Sequence, residues 1–328
     1  MAAYQQVSPE LQARLCHTAT VAGSYQGAAE LAARWGSEVS DDLIHQQVQR
    51  VGAQAAHQDL PAEPAPEKEA EFSLVIMMDG WMARERGPDW GASARKVGAE
   101  RVEWHEIKSA VIYRLDQAAQ TAGGRGLLVT KHVVACAPET DPVDFGQAVQ
   151  AEALRCGLGR ARKVYVVIDG ALWLWALTEA RFQEAIKILD FHHAREHLLA
   201  VGQALHGENS TEARTWTNPL VRQLRRGQEA RVLRSLEQLL EPAHGRTPQA
   251  QATLVREVEY FRRHADHTHY RRWARAGAPI GSGAVESLGA QLQRRMRGCG
   301  KFWRRPGLTH LLALVVAFKN RDEHHLWN

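Results

Sequence analysis

The sequence predicts an α/β fold, a mixed five-stranded sheet flanked by helices, with a small N-terminal helical segment before it and a run of helices after it. Three observations carry this. Residues 73–78 (SLVIMM) and 163–168 (KVYVVI) are continuous apolar runs, as expected of strands buried inside a sheet. Glu103–Tyr113 alternates polar with apolar residues, and Leu127–Ala135 (LLVTKHVVA) is rich in β-branched residues, so a three-stranded meander precedes the 163–168 strand. From His192 onward, apolar residues recur almost entirely at helical spacing.

Taken in order, residues 1–57 form a helical segment. GAAELAARW (27–35) reads as a short amphipathic helix, Gly36 as a break, and Ser40-Asp41-Asp42 as the N-cap of a second helix reaching about Gly52. That outline fits a helix-turn-helix, though any two helices joined by a tight turn look alike and its acidic charge opposes a firm grip on DNA. Residues 58–71 carry three prolines among acidic residues, the composition of an extended linker. Beyond the meander, Asp144–Arg155 has helical spacing, 163–168 is a strand, another helix follows, and Ala185–Leu189 is a short fifth strand. Helices are predicted at 194–206, 211–240, 248–275, 284–297 and 307–320.

A chain of 328 residues with 45% hydrophobic and 24% charged residues can bury a sizeable core, which excludes wholesale disorder. Cys16, Cys136, Cys156 and Cys299 form no C-x-x-C pair, so neither a zinc ribbon nor a disulfide framework is suggested. With no apolar stretch near the roughly 18 residues a membrane span needs, the expected location is the cytoplasm and no membrane partner is expected. Charge is uneven. Residues 1–70 hold 4 Lys/Arg against 9 Asp/Glu, residues 71–193 hold 15 against 16, and residues 194–328 hold 22 against 12. The basic third is nearly all arginine, suited to forked contacts with phosphate, although a solvated basic helix face would look the same.

Both strong apolar strands run into the same dipeptide, Asp79-Gly80 and Asp169-Gly170. In α/β sheets, sites form at the carboxyl ends of strands, where side chains leave the apolar layer and glycine permits close approach. Were the first and fourth strands adjacent, the two carboxylates would meet, and a hard divalent cation would relieve their repulsion. A plain turn explains either Asp-Gly alone. A third carboxylate, Glu286, stands in the first turn of a helix that follows Gly281-Ser-Gly, where dipole stabilisation would also favour it. Behind it, Arg294, Arg295, Arg297, Lys301, Trp303, Arg304 and Arg305 gather cations and an aromatic ring, as required where phosphate is bound and cut. Trp173 and Trp175 read as packing a helix against the sheet rather than as base-stacking residues.

The segments Met78-Asp-Gly-Trp-Met82, Arg84-Glu-Arg-Gly-Pro-Asp-Trp90, Val167-Ile-Asp-Gly-Ala171, Leu189-Asp-Phe-His-His193, Ile280-Gly-Ser-Gly-Ala-Val-Glu286-Ser and Arg305-Pro-Gly-Leu-Thr-His310 closely resemble bacterial insertion-sequence transposases of the ISKra-four group. The resemblance covers about residues 20 to 322. It implies a DDE transposase with an RNase H-like core at 72–206, a helical insertion at 207–278 and final core helices at 279–328. It implies Asp79, Asp169 and Glu286 as the catalytic and metal-binding triad. Asp190 and His193, matching a D-x-x-H motif, are implied to assist at the site or support it. Members of that group carry a longer N-terminal region than the one seen here, from which incomplete end recognition is expected.

The implied mechanism is transesterification at phosphorus with two Mg²⁺ (or Mn²⁺) ions about 3.5–4 Å apart. DNA, as element ends and target, is the expected partner, and a homo-oligomer on DNA is expected because two ends must be joined. Rival readings are a transposase-derived DNA-binding protein that no longer cuts, a nuclease on the same fold, and a zinc peptidase using His193-Ala-Arg-Glu196-His197, which fits H-x-x-E-H.

Overall fold

The computed structural model describes residues 7–57, 71–91, 100–120, 126–241 and 246–327. Apart from residue 71, the expected linker at 58–71 lies outside them. The N-terminal elements are α1 (Pro9–Val21), α2 (Tyr25–Arg34) and α3 (Asp41–Ala56), followed by strands β1 (Ser73–Arg86), β2 (Val102–Arg114), β3 (Ala118–Gln120), β4 (Gly126–Leu128) and β5 (His132–Cys136). Then come α4 (Pro142–Arg155), β6 (Lys163–Ile168), α5 (Leu172–Arg181) and β7 (Ile186–Leu189). Helices complete the chain: α6 (Phe191–His206), α7 (Thr211–Arg225), α8 (Glu229–Gln238), α9 (Pro248–Arg263), α10 (Tyr270–Arg275), α11 (Gly283–Met296) and α12 (Arg305–Asn320).

The sheet is mixed, with strand order β5-β2-β1-β6-β7. β1 pairs parallel to β6 and β6 parallel to β7, whereas β2 and β5 are antiparallel. Two compact units divide the chain, Met1–Ala70 with Asp79–Arg160 and Ala284–Asn328, and Glu71–Met78 with Ala161–Gly283. β1 therefore gives its first half to the second unit and its second half to the first. The helices at 207–278 fall in one unit with β6 and β7.

In the second unit, Leu74–Met78, Tyr165–Ile168 and Ile188–Leu189 are all buried. Strands packed on both faces read as unbroken apolar runs, which is why sequence finds them easily. In the first unit, α12 packs against α3 and β5, and α3 also against α1 and α2. A side chain at Gly52 of α3 would strike the His310 backbone carbonyl of α12, so the helices can approach this closely only with glycine there. Asn320, at the end of α12, accepts from the Val133 N–H at 2.8 Å and donates to its carbonyl at 2.9 Å. It pairs with the outer strand β5 as a neighbouring strand would.

Several expectations need correction. Leu127–Ala135 is not one strand: β4 pairs with β3 in a separate two-stranded sheet, and β5 joins the main sheet. The exposed Val129 marks the bend between them. The predicted helix 211–240 is two helices, broken where Gly227 takes φ +76°, and 248–275 is interrupted between α9 and α10. α1 was not foreseen; its buried face includes Gln12, Cys16 and Ala19, too weakly apolar to declare a period. Ser40 does cap α3, accepting from the Leu43 N–H at 3.1 Å.

Inside the first unit, Arg155 of α4 bridges Glu152 at 2.9 Å and Asp322 at 2.6 Å, all three side chains at most 10% exposed. Without Asp322 the buried guanidinium keeps Glu152 but loses two charge-assisted hydrogen bonds. Asp322→Ala is expected to lower the unfolding free energy by about 3 kcal/mol, read by urea denaturation; a loss below about 1 kcal/mol would show that the cluster does not hold α4 to the chain's end.

Candidate active site

β1 does not end at Asp79-Gly80. The strand continues to Arg86 with β2 beside it, and a Cβ at Gly80 would meet the side-chain end of Glu106. Only β6 terminates, its Ile168 giving way to the Asp169-Gly170 turn. The parallel ladder runs from Ser73↔Lys163 to Met77↔Val167. Asp79 and Asp169 each follow the last rung by two residues. The expectation that the first and fourth strands are neighbours is met.

Each aspartate is half-buried and turns an oxygen to its own backbone. Asp79 Oδ1 accepts from the Gly80 N–H at 2.7 Å and Asp169 Oδ1 from the Ala171 N–H at 2.8 Å. Trp175, on α5, donates from Nε1 to the Asp169 carbonyl at 2.8 Å and its ring lies on His264 and His267, centroids 4.6 and 4.5 Å away. It packs on these two histidines and also fixes the Asp169 turn. Gly170 has no room for a side chain: a Cβ there would stand 2.3 Å from the Tyr260 ring.

Glu286 is exposed in the first turn of α11. Three residues on, a Cβ at Gly289 would stand 3.7 Å from Trp81 Cδ1. Residues three apart on a helix share a face, as do residues two apart on a strand. Glu286 and Asp79 therefore belong to the faces of α11 and β1 that meet at Trp81.

Asp190 is fully buried at the junction of β7 and α6. One carboxylate oxygen caps α6 by accepting from the His193 N–H at 2.8 Å, and the other accepts from the Ser282 N–H. The Phe191 N–H donates to the Ile280 carbonyl at 2.9 Å, so the turn that opens α11 is pinned to the start of α6. Spending both oxygens on backbone makes Asp190 a positioning residue. His193 contributes its backbone to that cap while its ring is half-exposed, 3.7 Å from Glu196. The other histidine of H-x-x-E-H, His197, pairs with buried Glu257 at 2.5 Å and stacks on Tyr260 with centroids 3.6 Å apart.

The expected DNA contacts divide. Arg294, Arg297 and Arg304 are exposed. Arg305 is exposed too but reaches buried Glu85 at 3.1 Å. Arg295 is a correction: it is 6% exposed, donates to the Ala19 carbonyl at 2.8 Å, and lies over Tyr25 and Trp303. Burial pulls its pKa down, and it joins α11 to the N-terminal helices rather than facing phosphate. Lys301 donates to the carbonyls of Arg294 and Arg295, capping α11, and Trp303 Nε1 donates to the Met296 carbonyl at 2.7 Å. Both hold the turn between α11 and α12 in shape.

Carboxylate oxygens on half-buried or exposed residues suit hard divalent cations. Among the described residues, three potential ligands with atoms within 4.8 Å of one another are His132, Glu152 and Cys156, none of them a member of the sequence triad. Glu152 there is bound to Arg155 and to His132 at 2.5 Å. Sequence reasoning also missed the cluster beside Asp169, where Tyr260 and His264 are contributed by α9 and its C-cap. Burial raises the Tyr260 pKa, with Asp169 adding to it, and lowers that of His264 from 6.5 to about 4.

No family model matches the chain, and no curated protein sequence matches it. Among solved structures it is similar to the Drosophila P element transposase strand transfer complex, at 10% identity over 98% of this chain and 80% of that one, with a TM-score of 0.32. No helix among the described residues is long and apolar enough to cross a membrane.

Two outcomes test this geometry. Asp190→Ala strands two backbone donors and is expected to cost about 2–4 kcal/mol, with Asp190→Asn retaining part of it; equal stability of all three proteins in urea would exclude the clamp. His264 is held neutral, so the unfolded chain takes up its proton first as pH falls. Stability is expected to decline between about pH 6.5 and 4. His264→Phe should flatten that decline in denaturation curves; an unchanged slope would assign the pH response to other groups.

Proposed function

We propose that the chain is a DDE-type transposase with an RNase H-like core, cutting and joining DNA strands at the ends of an insertion sequence, as its motif resemblance to the ISKra-four group implies. The observation that carries the proposal is the β1–β6 register, which counts Asp79 and Asp169 to equivalent positions beyond one ladder. Glu286 adds a third carboxylate on the α11 face that meets β1 at Trp81.

In this reading Asp79, Asp169 and Glu286 hold divalent cations, Mg²⁺ or Mn²⁺, and their oxygen-only donor set suits such ions. When bound, the ions activate a water or a DNA 3′-hydroxyl and stabilise the leaving oxygen. The protein's own part is placement. Asp190 fixes the turn from which the Glu286 helix starts, and Trp175 holds the Asp169 backbone. Exposed Arg294, Arg297 and Arg304 supply cations for phosphates on either side of the cut. The reaction breaks one P–O bond of the strand and makes another to the attacking oxygen, with no covalent enzyme intermediate. A multimer is the working form proposed, because two element ends must be joined in one complex.

Labelled DNA carrying the ends that flank the gene is the substrate for the test. Wild type should nick and join it with Mg²⁺ or Mn²⁺, and Asp79→Asn, Asp169→Asn and Glu286→Gln should each lose at least about a hundredfold in rate while staying folded. Activity surviving in one variant would remove that carboxylate from the triad. A wild type that binds the ends and never nicks them would leave a DNA-binding descendant of a transposase.

A further inference from the structure

The first unit carries a surface file of rings and guanidinium groups that the proposed triad does not use. The Arg86 Cζ lies 5.2 Å from the Trp90 ring centre, and Trp90 lies 4.9 Å from Phe302. Phe302 is 4.8 Å from Arg84, whose guanidinium also sits 5.9 Å from Trp104. Trp104 in turn is 5.2 Å from Arg297. Three cations and three rings thus form one file, with residues from β1 and the turn after it, from β2 and from the turn between α11 and α12.

The cations are fixed. Arg84 Nη2 donates to the carbonyls of Arg297 and Gly298 at 2.9 and 2.6 Å, and Arg86 Nε to that of Phe302 at 3.1 Å. Their positions cost no ordering when a ligand arrives. The rings are open, with Trp90 42% and Trp104 48% exposed. Two half-exposed rings on one cationic surface leave stacking faces open to a ligand.

We propose that this file is a binding site for single-stranded DNA, holding unpaired nucleotides by stacking bases on Trp90 and Trp104 while Arg86 and Arg297 meet the phosphates and Arg84, its Nη2 spent on two carbonyls, holds the rings in line. The chemistry selects that ligand. An acidic peptide would satisfy the arginines and leave the rings without partners. Duplex DNA presents phosphates, but its base faces are already stacked on one another. A single strand offers a charge and a free π-face at every nucleotide. The assignment rests on the reading of the chain as an enzyme acting on DNA, where strands must separate near a cut, and it gives that enzyme a place for the unpaired segment.

The test is binding of the full chain to a short labelled oligothymidine and to a blunt duplex of equal length, in EDTA so that cleavage plays no part. Wild type should prefer the single strand. Trp90→Leu and Trp104→Leu should each weaken single-strand binding about tenfold, the scale of one stacked base, and change duplex binding less than about twofold. Trp104→Phe, which keeps a stacking face, should restore most of the loss. Equal losses on both ligands would reduce the file to a general basic surface, no loss on either would dismiss it, and tighter binding of oligouridine would replace DNA with RNA as the partner; each overturns the proposal. Failure here leaves the cleavage assay unaffected, and a failed cleavage assay leaves a measured single-strand preference standing.

Discussion

Parallel strands cannot be joined by a tight turn, so burial rather than a hairpin must set the alignment of β1 with β6. Leu74–Met78 and Tyr165–Ile168 are buried throughout, and a slip of one residue would exchange the face of every side chain in the run. The same slip would set Asp79 against Gly170 in the count instead of Asp169. Apolar packing, which has no chemistry of its own, therefore decides whether two carboxylates occupy equivalent positions. The glycine after each aspartate is constrained in the same way, by Glu106 beside Gly80 and by Tyr260 beside Gly170.

Features written into contiguous residues were legible in the sequence. The two buried strands, the existence of β2, the Ser40 cap and the start of α11 depend on periods and caps a few residues long, although β2 is buried without a break from Ile107 to Tyr113 and does not alternate. What failed depended on distant partners. Nothing between Leu127 and Ala135 says that its first part pairs with β3 and its second with β2. Asp79-Gly80 has the composition of a turn, yet it stays extended in β1 with β2 alongside. The proposed triad was named from motif resemblance and strand ends. Tyr260 and His264, about ninety residues further along the chain than Asp169, had no local signal at all.

The basic segment after Glu286 shows how charge misleads when burial is unknown. Arg294 and Arg295 are identical in the sequence and opposite in use, one exposed and the other buried beneath Tyr25 and Trp303. An arginine can leave water when aromatic faces and a carbonyl replace its hydration. Lys301 spends its ammonium on the last carbonyls of α11. Counting cations thus overstates the surface available to phosphate, whereas exposed Arg86, Trp90 and Trp104 lie earlier in the chain.

Burial also sorts the carboxylates. Asp190, Glu152, Glu257 and Asp322 are buried, and each has its oxygens committed to backbone N–H groups, histidine or arginine. Buried Glu85 commits only Oε2, to Arg305, and leaves Oε1 without a partner among the described residues, but desolvation makes commitment the favoured outcome for a buried carboxylate. Asp79 and Asp169 are half-buried and Glu286 is exposed. A carboxylate that takes up and releases hydrated cations must keep that access to water. Asp190 stands in a motif as suggestive as theirs, and its burial is the physical reason to read it as the brace of the turn before Glu286 and to reserve the metal for the other three.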